Sequence, residues 1–177
     1  GRGRAAADHT GTEGGAVAGH NGGSRAGAEA PADRIRQAGG RAGLVQAELA
    51  IEAQVRPLVD AAAAALDQPL SLLINNASAF SYDSIETNDR DSWDAHVEPN
   101  LRAPGVLSQA MAAQCPAEGG CIINLIDQRV WNLTEHFLSY TVSKYALWGL
   151  TRQMALGLAA RKIRVNGIGP GPTLPSP

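Results

Sequence analysis

The sequence predicts an α/β fold on a doubly wound parallel sheet, because short apolar runs alternate with helical segments along its 177 residues. The apolar runs lack in–out alternation, which is typical of strands buried on both faces. The segments between them are long enough for several helical turns. Strands separated by such helices favour right-handed βαβ units, and hence three layers in which helices cover both faces of the sheet.

The predicted elements follow one another in alternation. The strands are 16–20 (AVAGH), Leu44-Val45 with its flanking residues, 70–74 (LSLLI), 121–126 (CIINLI) and 163–168 (IRVNGI). The helices are 25–38, 52–66, 91–114 and 139–161. Pro57, Pro99 and Pro104 fall inside two of these helices, where proline removes a hydrogen bond and is expected to kink or delay the helix.

Composition excludes several functional classes. Lys and Arg total 15 against 17 Asp and Glu, so the net charge of −2 lacks the basic footprint of a nucleic-acid binder. No apolar run is long enough to cross a membrane. Cys115 and Cys121 lack zinc-ligand spacing, while His9, His96 and His136 show no metal-ligand pattern and are expected to be exposed. We therefore expect a cytoplasmic protein with reduced thiols, no metal and a small-molecule substrate.

The whole chain, residues 1–177, is expected to form one domain with an unusual start. Twelve of the 20 glycines lie within the first 43 residues, and no aromatic residue precedes Phe80. Residues 1–23 therefore offer little to pack, and we predict an atypical segment there, with disorder as the alternative. Taken with the Pro-rich end at Pro177, this start leads us to expect a fragment or, as the alternative, a chain with a degraded start.

The strongest chemical signal is the pair Tyr140 and Lys144 at the start of the last predicted helix. Residues one helical turn apart share a face, so the two side chains should meet. An ammonium near a phenol favours the phenolate, which predicts a Tyr140 pKa lowered from about 10 and a usable proton donor and acceptor. The alternative is an unrelated surface Tyr and Lys. Tyr145 has Gly149 at the same spacing and is expected to pack in the core.

Polar and small residues follow the predicted strands, where a doubly wound sheet binds its ligand. They are Glu48-Leu49, Asn75–Phe80, Asp127 and Gly169–Thr173. Together with Asn100, Tyr140 and Lys144, this ordered set resembles the short-chain dehydrogenase/reductase family over most of the chain, from Ser24 to Pro172. The resemblance implies a Rossmann-like fold and an NAD(P)-dependent oxidoreductase.

The resemblance also implies a role for each matching residue. Tyr140 would be the acid/base, Lys144 would lower its pKa and hold the nicotinamide ribose, and Asn100 would support a proton relay. The cofactor would lie against the turn Asn76-Ala77-Ser78, the loop Pro170-Gly171 near the nicotinamide, and the pair Glu48-Leu49 beside the adenine.

NADP is favoured over NAD by the segment that follows strand 16–20. An acidic residue at this place normally bonds the 2′-hydroxyl of NAD, but residues 20–25 (HNGGSR) include none. Arg25 could meet a 2′-phosphate instead. The alternative is a solvent-facing arginine that opens the helix.

Asp127 occupies a position at which the family that this chain resembles usually has a serine. A serine hydroxyl can donate to a developing oxyanion, whereas a carboxylate only accepts, so Asp127 favours a substrate with N–H groups or positive charge. That is similar to the pteridine reductase branch, in which Phe80 would correspond to a ring that stacks on the substrate. The alternatives are a helix N-cap or loop turn for Asp127 and core packing for Phe80. A carboxylate beside Tyr140 would also raise the pKa of the phenol and oppose Lys144.

Two further aromatic residues precede Tyr140. Trp131 and Phe137 lie between it and Asp127 in the sequence, and they either wall a substrate pocket or pack a loop.

The resemblance further implies that parts of the family fold are missing. The family opens with a strand and a glycine-rich turn that holds the cofactor pyrophosphate, of which Gly1–Ala5 resembles only the tail. The last strand is missing too. Without the first strand, which belongs at the centre of the sheet, strand 70–74 is expected to have an unpaired edge.

Three functions remain open on the sequence. The first is NADP-dependent reduction of a pterin-like or related heterocycle, and the second is oxidation or reduction of an aliphatic alcohol or ketone. The third is a non-catalytic fragment that acts through pairing of helices 91–114 and 139–161 with a partner subunit. The same helices are the expected contacts of a homo-oligomer.

Overall fold

The computed structural model describes residues 15–20 and 25–171 and shows strands and helices in the predicted alternation. The strands are β1 (Gly15–His20), β2 (Arg41–Gln46), β3 (Leu72–Asn75), β4 (Gly120–Leu125) and β5 (Ile163–Ile168). The helices are α1 (Arg25–Gln37), α2 (Glu52–Val55), α3 (Leu58–Leu66), α4 (Arg90–Val97), α5 (Ala103–Gln114) and α6 (Leu138–Leu158). This order confirms the Rossmann-like α/β class. The first 14 residues of the atypical segment 1–23, and residues 21–24, lie outside the described residues.

Proline divides two of the predicted helices. The predicted helix 52–66 ends its first part at Val55, and Pro57 is the N-cap of the second part. The predicted helix 91–114 contains a π-helical turn, Glu98–Arg102, between α4 and α5. Pro99 lies in this turn and Pro104 in the first turn of α5, where a missing N–H is tolerated best. Such π-turns are frequent at functional sites, and this one carries Asn100.

All described strands are parallel, but they form two separate sheets. One sheet pairs β1 with β2, and the other has the order β3-β4-β5. In the usual order of a doubly wound sheet, 3-2-1-4-5-6, the break between β1 and β3 falls at the place of the family's first strand, which was expected to be missing. Among the described strands, β3 therefore pairs on one side only, with β4, in agreement with the unpaired edge that was expected for it.

A chain of buried amides fixes α6 against the second sheet. Asn75 at the end of β3 donates to Asn124 Oδ1 on β4 at 2.8 Å, and Asn124 donates to Thr151 Oγ1 on α6 at 2.8 Å. Met111 of α5 packs in one apolar core cluster with Ile122 of β4 and Ile163 of β5 in the same sheet. Because buried amides without partners are costly, this chain defines how α6 lies across the strands.

Candidate active site

Tyr140 lies in the first turn of α6, and its hydroxyl contacts the carboxylate that follows β4. The side chain is only 6% exposed, and its Oη donates to Asp127 Oδ2 at 2.7 Å. The other oxygen, Asp127 Oδ1, accepts from the backbone N–H of Arg129 at 2.8 Å and caps the 3-10 turn Gln128–Val130. Asp127 therefore has the turn-capping role that was the alternative to substrate selection, and it also contacts the tyrosine. Its role towards the substrate remains a prediction.

Lys144 lies one turn further along α6 and is 2% exposed. Its Nζ donates to the backbone oxygen of Leu125 at 2.8 Å and lies 5.7 Å from the centre of the Tyr140 ring. Burial lowers the pKa of Lys144 to about 8, while the Asp127 carboxylate acts to raise it. An ammonium has three donors, and one of them is engaged within the described part of the chain. Two donors on a buried ammonium suit the adjacent hydroxyls of a ribose, so the residue fits the cofactor implied by the sequence.

The pKa of Tyr140 is raised, which contradicts the lowering expected from Lys144. Burial is the largest cause, followed by the hydrogen bond to Asp127 and the charge of that carboxylate. Ser78 and Arg129 act in the opposite direction but do not outweigh them. The ammonium of Lys144 binds a carbonyl rather than the phenol oxygen, which is why its influence was overestimated. A phenol in this state is fully protonated at neutral pH and can act as a proton donor.

Asn100 joins the segment after β3 to α6. Its Oδ1 accepts from the Ala79 backbone N–H at 2.8 Å and from Ser78 Oγ at 3.2 Å. Its Nδ2 donates to the Ala79 backbone oxygen at 3.0 Å and to Ser143 Oγ at 3.1 Å. These four bonds use the full capacity of a carboxamide, so the side chain holds this segment in place. The proton relay through Asn100 remains a prediction.

Phe80 and Phe137 form an aromatic pair next to Tyr140. Their ring centres are 4.5 Å apart and nearly parallel, and the Phe80 ring lies edge-on to Tyr140 at 4.7 Å. Core packing does not account for Phe80, which is 44% exposed. Phe137 has a φ of 61°, an uncommon conformation for a bulky residue, and Asp83 O accepts its backbone N–H at 2.8 Å. Backbone strain of this kind clusters at functional sites.

A buried polar network supports this corner and was missed by the sequence analysis. His96 was expected to be exposed, which is wrong, since it is fully buried. Its Nε2 accepts from the Ser81 backbone N–H at 3.0 Å, so Nδ1 carries the proton and faces Ser92 O and Ser139 Oγ. Ser139 Oγ in turn donates to Asp83. The one usable signal was the four-residue spacing of Ser92 and His96 on α4, because Ser81 and Ser139 lie on other segments of the chain.

The predicted cofactor residues lie at the carboxyl ends of the strands, with one exception. Ala77 and Leu49 belong to the same core cluster, which brings the segments after β3 and β2 together, and Asn76 and Glu48 are their neighbours in the chain. The backbone oxygen of Pro170 accepts from Gln128 N at 3.2 Å, so the loop with Gly171 lies beside the turn that Asp127 caps. The exception is the side chain of Arg25, which lies outside the described residues.

Features of two other functional classes are absent from the described residues. No group of three or more potential metal ligands occurs among them. No helix among residues 15–20 and 25–171 is both long and apolar enough to span a bilayer.

Parallel strands joined by helices, with polar side chains beyond their carboxyl ends, are the arrangement of a dinucleotide-binding α/β protein. The model of the short-chain dehydrogenase family matches residues 1–176, and the chain belongs to this family.

Two solved structures are similar to this chain over most of its length. The crystal structure of FolM alternative dihydrofolate reductase 1 from Brucella canis, complexed with NADP, is 46% identical with a TM-score of 0.82, over 89% of this chain and 63% of that one. A blue fluorescent protein from a metagenomic library, in complex with NADPH, is 34% identical with a TM-score of 0.82, over 87% of this chain and 62% of that one.

A curated relative has a similar span. An uncharacterized oxidoreductase of Methylorubrum extorquens is 34% identical over 159 residues, which is 90% of this chain and 63% of that protein. The chain therefore spans less than two thirds of the length of these relatives.

Proposed function

We propose that the protein is an NADP-dependent short-chain oxidoreductase that reduces a pterin-like or related conjugated heterocycle, with Tyr140 as the proton donor. The observation that carries this proposal is the 2.7 Å hydrogen bond from Tyr140 Oη to Asp127. It keeps the phenol protonated and presents a carboxylate beside it. When bound, the nicotinamide of the cofactor supplies the hydride, and Tyr140 supplies the proton that balances it.

The carboxylate of Asp127 discriminates between substrate classes. The oxygen of a simple ketone gains negative charge as it is reduced, and a carboxylate next to it would oppose this charge. An aminopyrimidine ring instead offers N–H groups that a carboxylate can accept. The NADP-complexed FolM reductases from two Brucella species, at 46% and 47% identity, support the pterin-like substrate.

The residues proposed to hold the cofactor line one edge of the sheets. Lys144 would bind the ribose with the two donors left beside its bond to Leu125. The nicotinamide ring would lie between two segments, Asn76-Ala77-Ser78 on one side and Pro170-Gly171 on the other. The adenine would lie near Glu48 and Leu49. Preference for NADP is supported by the neighbours crystallised with NADP or NADPH, and Arg25 is the proposed partner of the 2′-phosphate.

The test is NADPH oxidation with dihydrobiopterin against a panel of aliphatic ketones. We expect turnover of the dihydropterin and loss of it in Tyr140→Phe, which keeps the ring but not the proton. Tyr82→Phe is the matched control, because Tyr82 is 61% exposed and bonds only His136 among the described residues. Reduction of ketones but not of dihydrobiopterin would favour the aliphatic alternative and refute the pterin assignment.

Asp127→Ser tests the role of the carboxylate separately. It restores the residue that the family usually has, so we expect its preference to move from the dihydropterin towards ketones. Identical substrate profiles for Asp127→Ser and the parent would show that Asp127 does not select the substrate.

We also propose a homo-oligomer formed through α5 and α6. The groove between α5 and α6 is lined by Leu101, Leu150 and Met154, none of which is fully buried. A second copy of the chain would cover this apolar surface. The mass in solution, measured by light scattering, should fall to that of one chain in Leu150→Glu; a single-chain mass for the parent contradicts the proposal. Pairing without any NADPH binding would instead favour the non-catalytic alternative.

A further inference from the structure

Arg129 lies at the outer end of the aromatic pair that begins beside Tyr140. Its guanidinium carbon is 4.7 Å from the centre of the Phe137 ring and 5.8 Å from that of Phe80. Phe80 itself contacts Tyr140 edge-on. The Tyr140 ring, the two stacked phenylalanine rings and the cation therefore form a continuous series.

The charge of Arg129 has no acidic partner within the described part of the chain. Arg36, Arg56 and Arg90 each contact a carboxylate, whereas Arg152, like Arg129, forms no ion pair among the described residues. Among the described residues, the guanidinium makes one hydrogen bond, from Nη1 to Thr134 Oγ1 at 2.9 Å. An arginine has five N–H donors in a planar fork, so most of them remain for a ligand.

Contacts with neighbouring residues hold both the backbone and the side chain of Arg129 in place. Its backbone N–H is held by Asp127, and its fork is fixed between Thr134 and the Phe137 ring. Phe137 is itself held in a strained left-handed conformation. A cation prepared in this way loses little conformational entropy when it binds an anion.

We infer that Arg129 is the residue that recognises an anionic group of the substrate, and that this group is a carboxylate distant from the reacting atom. The inference rests on the proposed function. A flat heterocycle placed at Tyr140 and extending along Phe80 would bring a substituent, not its reduced ring, to the guanidinium. The substrate class is therefore a conjugated heterocycle with an acidic side chain, and unsubstituted or neutral pterins would lack this contact.

The test compares folate with its dimethyl ester, which keeps the ring and the linker but has no negative charge. Affinities are measured by calorimetry with NADP⁺ present, for the parent and for Arg129→Gln. A bond between charged groups is typically stronger than a neutral one, so we expect the preference of the parent for folate over the ester to fall by about tenfold in the variant. The affinity of the parent for folate should also weaken with added salt, and that of Arg129→Gln much less.

Arg152→Gln is the matched control. Arg152 also lies over an aromatic ring, that of Trp148 at 5.4 Å, but it is exposed on α6 away from Tyr140. The Arg152→Gln variant should keep the parent's preference for folate over the ester. Arg129→Lys retains the charge without the fork and should lie between the parent and the glutamine variant.

The outcomes separate the inference from the proposed function. Suppose that the parent reduces dihydrobiopterin, and that Arg129→Gln lowers the affinities for folate and for its ester equally or leaves both unchanged. The role of Arg129 is then overturned and the proposed function stands. If the parent binds neither compound and reduces no dihydropterin, both are overturned. A loss of preference in Arg152→Gln equal to that in Arg129→Gln would also overturn the assignment, because general surface charge would then explain it.

Discussion

Burial of the Lys144 charge is expected to make the protein less stable at neutral pH than a variant without that charge. Lys144 is 2% exposed and its pKa is lowered to about 8, from 10.5 for an ordinary lysine. Its retention makes sense if the ammonium serves the cofactor rather than the fold. The perturbation is Lys144→Met, which has a similar length and no charge.

The magnitude follows from the two pKa values. Between pH 8 and 10.5 the unfolded chain binds more protons at this residue than the folded chain, so stability rises with pH in that window. The shift corresponds to a destabilisation of about 3 kcal/mol at pH 7, which decreases to about 1 kcal/mol at pH 10. The advantage of the methionine variant should shrink by the difference, about 2 kcal/mol.

The assay is urea unfolding, followed by tryptophan fluorescence, across this pH range. Other groups titrate there as well: burial raises the pKa of Cys115, which makes its contribution to stability decline as the pH rises above the ordinary thiol value. Such groups are common to the parent and the variant, so the difference between the two curves isolates Lys144. Lys162→Met is the matched control, because Lys162 is exposed.

One result would refute this reasoning. If the free energies of unfolding of the parent and Lys144→Met change in parallel from pH 7 to pH 10, the ammonium of Lys144 is not destabilised by burial. A parallel pair of curves would also remove the argument that its free donors are kept for a ligand.

Three more predictions follow from individual contacts. In Asp127→Asn the pKa of Tyr140 should fall towards the ordinary value, because the charge is removed; an unchanged phenolate absorbance titration would contradict the cause assigned to it. Ser139→Ala removes a donor to the buried Asp83 and should lower stability by about 1–3 kcal/mol, and a native urea midpoint would argue against the network. Gly119→Ala should destabilise by at least about 1 kcal/mol, since φ is 102° and the new Cβ would lie 2.3 Å from Lys162 O; Gly149→Ala, in open space on α6, is the control and should not destabilise.

The sequence determined the class of fold because that information is local. Apolar runs such as 121–126 and 163–168 predict buried strands by their length and lack of alternation, and both were found within one residue of the expected bounds. Prolines at 57, 99 and 104 indicated where two helices would be interrupted. The spacing of Tyr140 and Lys144 placed both on one face of α6, where the structure has them.

The sequence could not determine properties that depend on burial and on distant partners. The expected lowering of the Tyr140 pKa was wrong because its sign depends on how deeply the phenol is buried and on which atom Lys144 contacts. The burial of His96 depends on Ser139 and Ser81, which lie on other elements. Periodicity and spacing describe one element at a time, whereas electrostatics and packing act between elements, and only the tertiary structure brings those together.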